Sequence, residues 1–431
     1  MLAVYRNMFR IADLRNKILF TLGIFAVYRL GTSIPVPGVD LANVQRLAEQ
    51  TEEQGGVLGL LNLFSGGALE SFSVFALGIM PYITSSIMMQ LLAVVIPRLQ
   101  KLQEEGEAGR RVITQWTRYV TVGLALLQST GLVFLFSRGQ LTGGIPLITD
   151  YTTGRVSLIV LTLTAGTAFI MWLGELITQR GIGNGMSLLI FASIISQLPA
   201  QISGAYAVGG PVRFVLLMAL FVAMVVAIIF VEQGQRRIPI QFAKRVRGRR
   251  VLGGQSTYIP LKVNTAGVIP IIFASSVLYF PALLSTSIPT DNPILAGIRS
   301  FVDNRLANPS SFVYIAAFGI LVIFFTYFYT AIQFDPTRQA EMIQRQGGFI
   351  PGIRPGTSTS RHLEYILTRI TLPGSLWLAS VAVLPSVVLV LWAIPFQFAG
   401  ISILITVGVA LETMKQIESQ LLMRNYEGFL A

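Results

Sequence analysis

The sequence predicts an all-α integral membrane protein of about ten transmembrane helices, arranged as two inverted five-helix halves around a central path. Three observations lead there: a composition short of charge, apolar runs of spanning length repeated along the chain, and basic residues concentrated in alternate connections. Of 431 residues, 53% are apolar and only 12% are charged. An ordinary soluble chain carries roughly a quarter charged residues, so the solvent around most of this one is lipid. A net charge of +12 often marks a nucleic-acid binder, but here the charges occupy short segments between apolar runs.

Runs long enough to cross a hydrocarbon core of about 30 Å fall near 17–34, 72–96, 115–137, 155–174, 186–203, 212–232, 265–285, 311–333, 370–393 and 398–415. The first follows a basic start (Arg6, Arg10, Arg15, Lys17) and resembles a signal peptide. The residues after it, Gly31 to Pro37, offer no small-x-small cleavage site, so the run is read as a retained span. The sixth, Phe214–Val231, is almost purely aliphatic and is expected to face lipid. The second, fifth, seventh and tenth contain Gly, Ser, Thr, Asn or Pro, which suits helices packed inside a bundle or lining a cavity.

Orientation follows from lysine and arginine counts in alternate loops. The side carrying the amino terminus has 25 of the 32 basic residues, the other side six, and Arg29 lies near the end of the first span. Both termini are therefore expected in the cytoplasm. Long connections follow spans one and three on the outer side, then six and eight on the cytoplasmic side. Five spans per half invert the second half, so the chain reads as an N-terminal half, 1–207, and a C-terminal half, 208–431, with a seam near 203–211. Inverted repeats place a path at their interface.

The residues argue against catalysis. There is no cysteine and His362 is the only histidine, which disfavours thiolate chemistry and multi-histidine metal sites. No cofactor is expected. Glu175, Glu232 and Glu412 lie near the expected cytoplasmic edge, and no Asp, Glu, Lys or His falls near a predicted midplane. The usual mark of a proton relay or coupled transporter is thus missing. Gly181-Ile-Gly-Asn-Gly185 reads as a tight turn, not a phosphate cradle. A pore without charge can still be gated by an apolar constriction that dewets.

Several strings resemble the SecY/Sec61 family, the central subunit of the protein-conducting translocon, and its bacterial members most. They are Ile34-Pro-Val-Pro-Gly38, Asn62-Leu-Phe-Ser-Gly-Gly-Ala-Leu69, Phe75-Ala-Leu-Gly-Ile-Met-Pro-Tyr-Ile83, Met171-Trp-Leu-Gly-Glu175 with Arg180-Gly-Ile-Gly-Asn-Gly185, Gln235-Arg-Arg-Ile238, Gln255-Ser-Thr-Tyr-Ile-Pro-Leu-Lys-Val-Asn264 and Phe349-Ile-Pro-Gly-Ile-Arg-Pro-Gly356. They follow the family's order and cover nearly the whole chain.

The resemblance implies an hourglass channel that translocates unfolded secretory polypeptides and releases apolar segments sideways into the bacterial cytoplasmic membrane. It implies a plug around 60–69, including Asn62, Leu63, Phe64, Ser65, Gly66 and Gly67, whose polar and glycine content suits weak docking. A constricting ring would comprise Ile79 and Ile83, Met186 and Ile190, Ile272 and Ile405. The i, i+4 pairs share a helix face, although such pairs are usually simple packing residues. Met186 departs from the usual branched aliphatic. Thr84, Gln128 and Asn264 match the polar cluster of the lateral gate between spans two and three and spans seven and eight.

Cytoplasmic loops 233–264 and 334–369 would dock the ribosome and the SecA ATPase, through Arg249 and Arg250 in the first and Arg354 in the second. The first loop holds eight basic residues and no acid after Glu232. These charges also serve orientation and attract anionic membrane lipids, at about 1 kcal/mol per basic residue. SecE-like and SecG-like small membrane subunits are implied as partners. No nucleotide-binding motif is present, so energy would come from a partner. A small-solute transporter and a scaffold without an aqueous path are the rival readings; absent midplane charge and large basic loops count against the first.

Overall fold

A computed structural model describes residues 11–40, 65–137, 152–242, 245–247, 250–252, 256–286, 293–306, 308, 310–392 and 401–427. Its helices, in chain order, are α1 (Ala12–Thr32), α2 (Met80–Val95), α3 (Pro97–Glu104), α4 (Glu107–Ser137), α5 (Thr153–Arg180), α6 (Gly185–Gln233), α7 (Ile269–Thr286), α8 (Pro293–Phe301), α9 (Phe312–Gln333), α10 (Pro336–Arg345), α11 (Thr357–Trp392) and α12 (Ile401–Glu427). A π-helical turn, Val302–Leu306, follows α8. Each of the ten apolar runs overlaps one of these helices.

Among the described residues, five stretches are long and apolar enough to cross a bilayer unaided: Thr153–Arg180, Gly185–Ala207, Gly209–Gln233, Phe312–Arg345 and Thr357–Val388. α1 and α12 fall outside that set because charges such as Asp13, Arg15, Lys17 and Glu412 lie within them. α2 and α3 form a pair bent by 101° where Pro97 starts the second helix. A proline at the first helical position suits a helix start and cannot continue the preceding one.

α6 runs for 49 residues, about 74 Å at 1.5 Å per residue, more than twice the hydrocarbon thickness. It is therefore broken. Gly210 leaves helical geometry (φ 66°, ψ 176°) and Pro211 follows it, so the fifth and sixth runs become two spans. The second of them leaves Val215, Val222, Val226 and Phe230 exposed, while Leu217, Met224 and Ile228 are buried. One face meets the protein and the other suits lipid, as its aliphatic composition predicts.

The second run does not form a helix along its whole length. Residues 65–79 fold as successive turns, and regular helix begins only at Met80, with Pro81 in its first turn. Phe72 and Gly78 have positive φ (42° and 56°), which an uninterrupted helix cannot accommodate. The segment is instead pinned beside the end of α1. Val36 N–H donates to Phe72 O (3.0 Å) and Val74 N–H to Ile34 O (2.9 Å), around a bridge between Pro35 and Ser73.

One large apolar cluster joins α1, α2, α5, α6, α7, α9, α11 and α12. A second, with Val36, Leu69, Phe72, Phe136 and Leu163, packs the 65–79 segment against α4 and α5. α5 and α6 approach so closely that a Cβ on Gly185 would collide with the carbonyl oxygen of Gly174. Gly185→Leu is expected to cost about 1–3 kcal/mol through overpacking. A lowered unfolding midpoint in detergent checks this; an unchanged midpoint would contradict the close approach.

The two basic loops contain strands that the helical reading did not include. β1 (Gln235–Phe242) pairs antiparallel with β4 (Ser256–Lys262), and β5 (Gly348–Phe349) joins the other side of β1. β2 (Arg245–Arg247) and β3 (Arg250–Leu252) pair with each other as a separate two-stranded hairpin. Ile238, Ile240 and Leu261 on the sheet pack against Ile343 of α10, Ile350, and Leu363 and Ile366 of α11. Both loops thus share one apolar core.

Candidate functional site

All six expected ring residues are buried, and all six belong to the same apolar cluster. Ile79 caps the start of α2 and Ile83 lies one turn on; Ile190 comes from α6, Ile272 from α7 and Ile405 from α12. Residues far apart in sequence therefore converge on one apolar body. Met186 has an additional contact: its sulfur packs over Gly174 of α5, where any Cβ would collide with it. It begins α6 under the cap of Asn184, whose Oδ1 accepts from Met186 N–H (3.2 Å). Its side chain thus also packs α5 against α6.

Of the expected plug, Asn62, Leu63 and Phe64 lie outside the described residues. Ser65, Gly66 and Gly67 are held between α1 and α6. Tyr28 is 2% exposed and Ser193 fully buried. The Tyr28 hydroxyl donates to Ser65 O (3.1 Å) and lies 2.7 Å from Ser193 Oγ. Arg29 Nη1 donates to Gly66 O (3.0 Å) and to Ser196 Oγ (3.4 Å). Gly66 has φ 70°, and a Cβ there would sit 3.2 Å from Ser193 Cα, so this close approach requires glycine. Sequence reasoning missed all four contacting side chains. The available signal was two serines three apart on an apolar helix and an arginine within an apolar run.

The expected gate residues are not joined to one another by the hydrogen bonds they make here. Thr84 Oγ1 donates within its helix to Met80 O (2.9 Å). Gln128 is half-buried on α4. Asn264 is buried, and its Nδ2 donates to Glu232 Oε2 (3.0 Å) and Gly267 O (3.2 Å). Its Oδ1 is buried without a hydrogen-bond partner, an acceptor that a donor across the seam would satisfy. Two other side-chain contacts connect the sequence-distant parts. Tyr329 of α9 donates to Gln90 Oε1 of α2 (3.2 Å), and Arg338 of α10 pairs with Glu104 of α3 (2.7 Å).

Of the acids expected near the cytoplasmic edge, Glu175 and Glu232 have structural partners. Glu175 accepts both Arg118 Nε and Nη2 at 2.7 Å, a bidentate pair tying α4 to α5. Among the described residues no cluster of His, Asp or Glu could hold a metal.

For docking, Arg354 is exposed on a turn between Gly352 (φ 82°) and Gly356 (φ 99°). Its carbonyl accepts from Thr359 Oγ1 (3.0 Å), which anchors the turn to α11. Arg250 opens β3 and pairs in register with Arg247 of β2. Arg249, between them, lies outside the described residues.

Comparisons agree with this geometry. The SecY family model matches residues 73–414. "Protein translocase subunit SecY" of Streptomyces galbus is 52% identical over 443 residues, covering 100% of both chains. A solved structure described as "The plug domain of the SecY protein stablizes the closed state of the translocation channel and maintains a membrane seal" matches 94% of this chain and 92% of its own, with TM-score 0.60 and 16% identity. "Sec61 in the Canine ribosome-channel complex from the endoplasmic reticulum" matches 94% and 92%, with TM-score 0.58 and 15% identity. Multi-pass helical architecture, ordered motifs and full-length similarity lead to one assignment: the chain belongs to the SecY family.

Proposed function

We propose that this chain is the protein-conducting subunit of a bacterial translocase, passing unfolded secretory polypeptides across the cytoplasmic membrane and releasing apolar segments into lipid. The observation that carries the reading is the convergence of Ile79, Ile83, Ile190, Ile272 and Ile405, with Met186, in one buried apolar cluster. Such a constriction excludes ions by dewetting, yet its side chains deform around a passing chain. The N-terminal half, 1–207, and C-terminal half, 208–431, separate along a lateral gate that includes Thr84, Gln128 and Asn264. Residues about 60–69 form the plug, with both termini in the cytoplasm.

The chain itself is a passive conduit. Loops 233–264 and 334–369, which share an apolar core, dock the SecA ATPase or the ribosome through Arg249, Arg250 and Arg354, and these partners supply the driving force. SecE-like and SecG-like subunits complete the complex, and remaining basic residues attract anionic lipids. In vesicles holding the purified complex, SecA and ATP are expected to drive a secretory precursor into a protease-protected state. Absence of protection with an intact complex would contradict the function. Ile190→Asn is expected to wet the constriction and raise ion leak at least several-fold. Val226→Ala, on the exposed face of α6, is expected to leave leak unchanged in the same conductance recordings.

A further inference from the structure

We propose that Tyr28, Arg29, Ser193 and Ser196 form a polar clasp that holds Ser65–Gly67 as the stationary root of the plug. The inference rests on reading 60–69 as a plug, and it keeps Ser65–Gly67 in place when the channel opens. Three parts of the chain meet at this point. Tyr28 contacts Ser65 O and Ser193 Oγ, while Arg29 bridges Gly66 O and Ser196 Oγ. Ser65 Oγ accepts from Leu69 N–H (3.2 Å), starting the packed turns, and Ser71 Oγ donates to Thr32 O (3.0 Å). Leu69 and Phe72 then enter the second apolar cluster. Everything from Ser65 onward is thereby held to α1 and its neighbours.

Burial gives the clasp its strength. Tyr28 and Ser193 lie out of solvent, where an unmade hydrogen bond costs more than a made one gains. Arg29 contributes charge-assisted bonds, the stronger kind. α1 and the part of α6 bearing Ser193 both belong to the proposed N-terminal half, so parting the halves at the gate does not separate the groups of the clasp. The root stays where it is as the seam opens. The sequence shows only the separate parts, an arginine after a tyrosine near the end of the first span and two serines three apart on the fifth; the fold brings them together.

Ion conductance of the full chain in its native complex, recorded in planar bilayers, tests the proposal. Arg29→Gln is expected to raise leak about tenfold, since a charge-assisted bond contributes about that factor or more; Arg29→Lys, keeping one donor to Gly66 O, is expected to recover part of the seal. Tyr28→Phe and Ser193→Ala remove one shared bond, so their effects are expected to be less than additive. Ser196→Ala is the mild variant to use if Arg29→Gln fails to fold. The chain has no cysteine, so spin labels can be attached to cysteines placed at Ser33, just after α1, and at Glu70, beyond the root. The distance between the two labels is expected to stay the same in the idle complex and in one stalled with a precursor. A distance that lengthens in the stalled complex would overturn the stationary root. Tight clasp variants beside a leaking 60–69 deletion would overturn the clasp and leave the plug standing. A silent deletion in a folded complex would remove both.

Discussion

Reversing charge at Arg249, Arg250 and Arg354 together is expected to weaken binding of SecA or the ribosome by on the order of 100-fold, from roughly 1 kcal/mol per contact. The effect reads as raised Kd at moderate salt. Against ribosomal RNA, the dependence of affinity on salt should also flatten, because fewer counterions are released on binding. The reason lies in how the charges are mounted. Arg354 stands on a turn bounded by two glycines of positive φ and secured by Thr359. Arg250 lies on the β2–β3 hairpin of the first loop, whose β1 pairs with β5 of the second. Arg110→Glu, exposed on α4, serves as the control and is expected to leave affinity unchanged. Equal loss in control and triple variant would show a general charge effect and contradict a dedicated platform.

Deleting residues 60–69 is expected to convert a nearly silent channel into one that conducts ions steadily. Once the plug is gone, only the apolar ring opposes water, and the ring must be deformable enough to pass a polypeptide. The deletion also removes Gly66, and with it the acceptor for Arg29. The expected record is frequent, long openings in planar bilayers where the unmodified complex stays closed. Continued silence, with the complex folded and monodisperse, would contradict a plug over a pore.

The helices were legible because spanning a bilayer needs both length and apolar composition, and few sequence patterns satisfy both. The lipid-facing side of α6 follows from its composition alone. Residues 72–79 were misjudged for a physical reason. Their apolar content suits a span, but Gly78, Pro81 and the left-handed Phe72 impose turns, which composition does not reveal. The loop strands were also missed, although Ile238 and Ile240 alternate with exposed Arg237, Pro239 and Gln241, a period-two pattern. Charge counting drew attention to the arginines and away from that alternation.

The candidate site divides in the same way. The ring residues form i, i+4 pairs or lie on apolar helices, and motif order located them. Their convergence needed three dimensions. The clasp at Tyr28 and Ser193 joins positions 165 residues apart, and Tyr329 meets Gln90 across 239. No local pattern encodes such pairs. Asn264 shows a third limit: its residue type suggested a bond across the gate, whereas its Nδ2 is used by Glu232 and Gly267.

The central claim is that a polypeptide travels through the isoleucine ring. Because the chain lacks cysteine, single cysteines at Ile79, Ile83, Ile190, Ile272 and Ile405 can be placed one at a time, with Val226→Cys on the lipid-facing side of α6. A secretory precursor carrying one cysteine is then stalled midway and the complex oxidised. Disulfides from the ring positions to the precursor, and none from Val226→Cys, are the predicted result. Cross-linking from Val226→Cys with a silent ring would contradict passage through this centre.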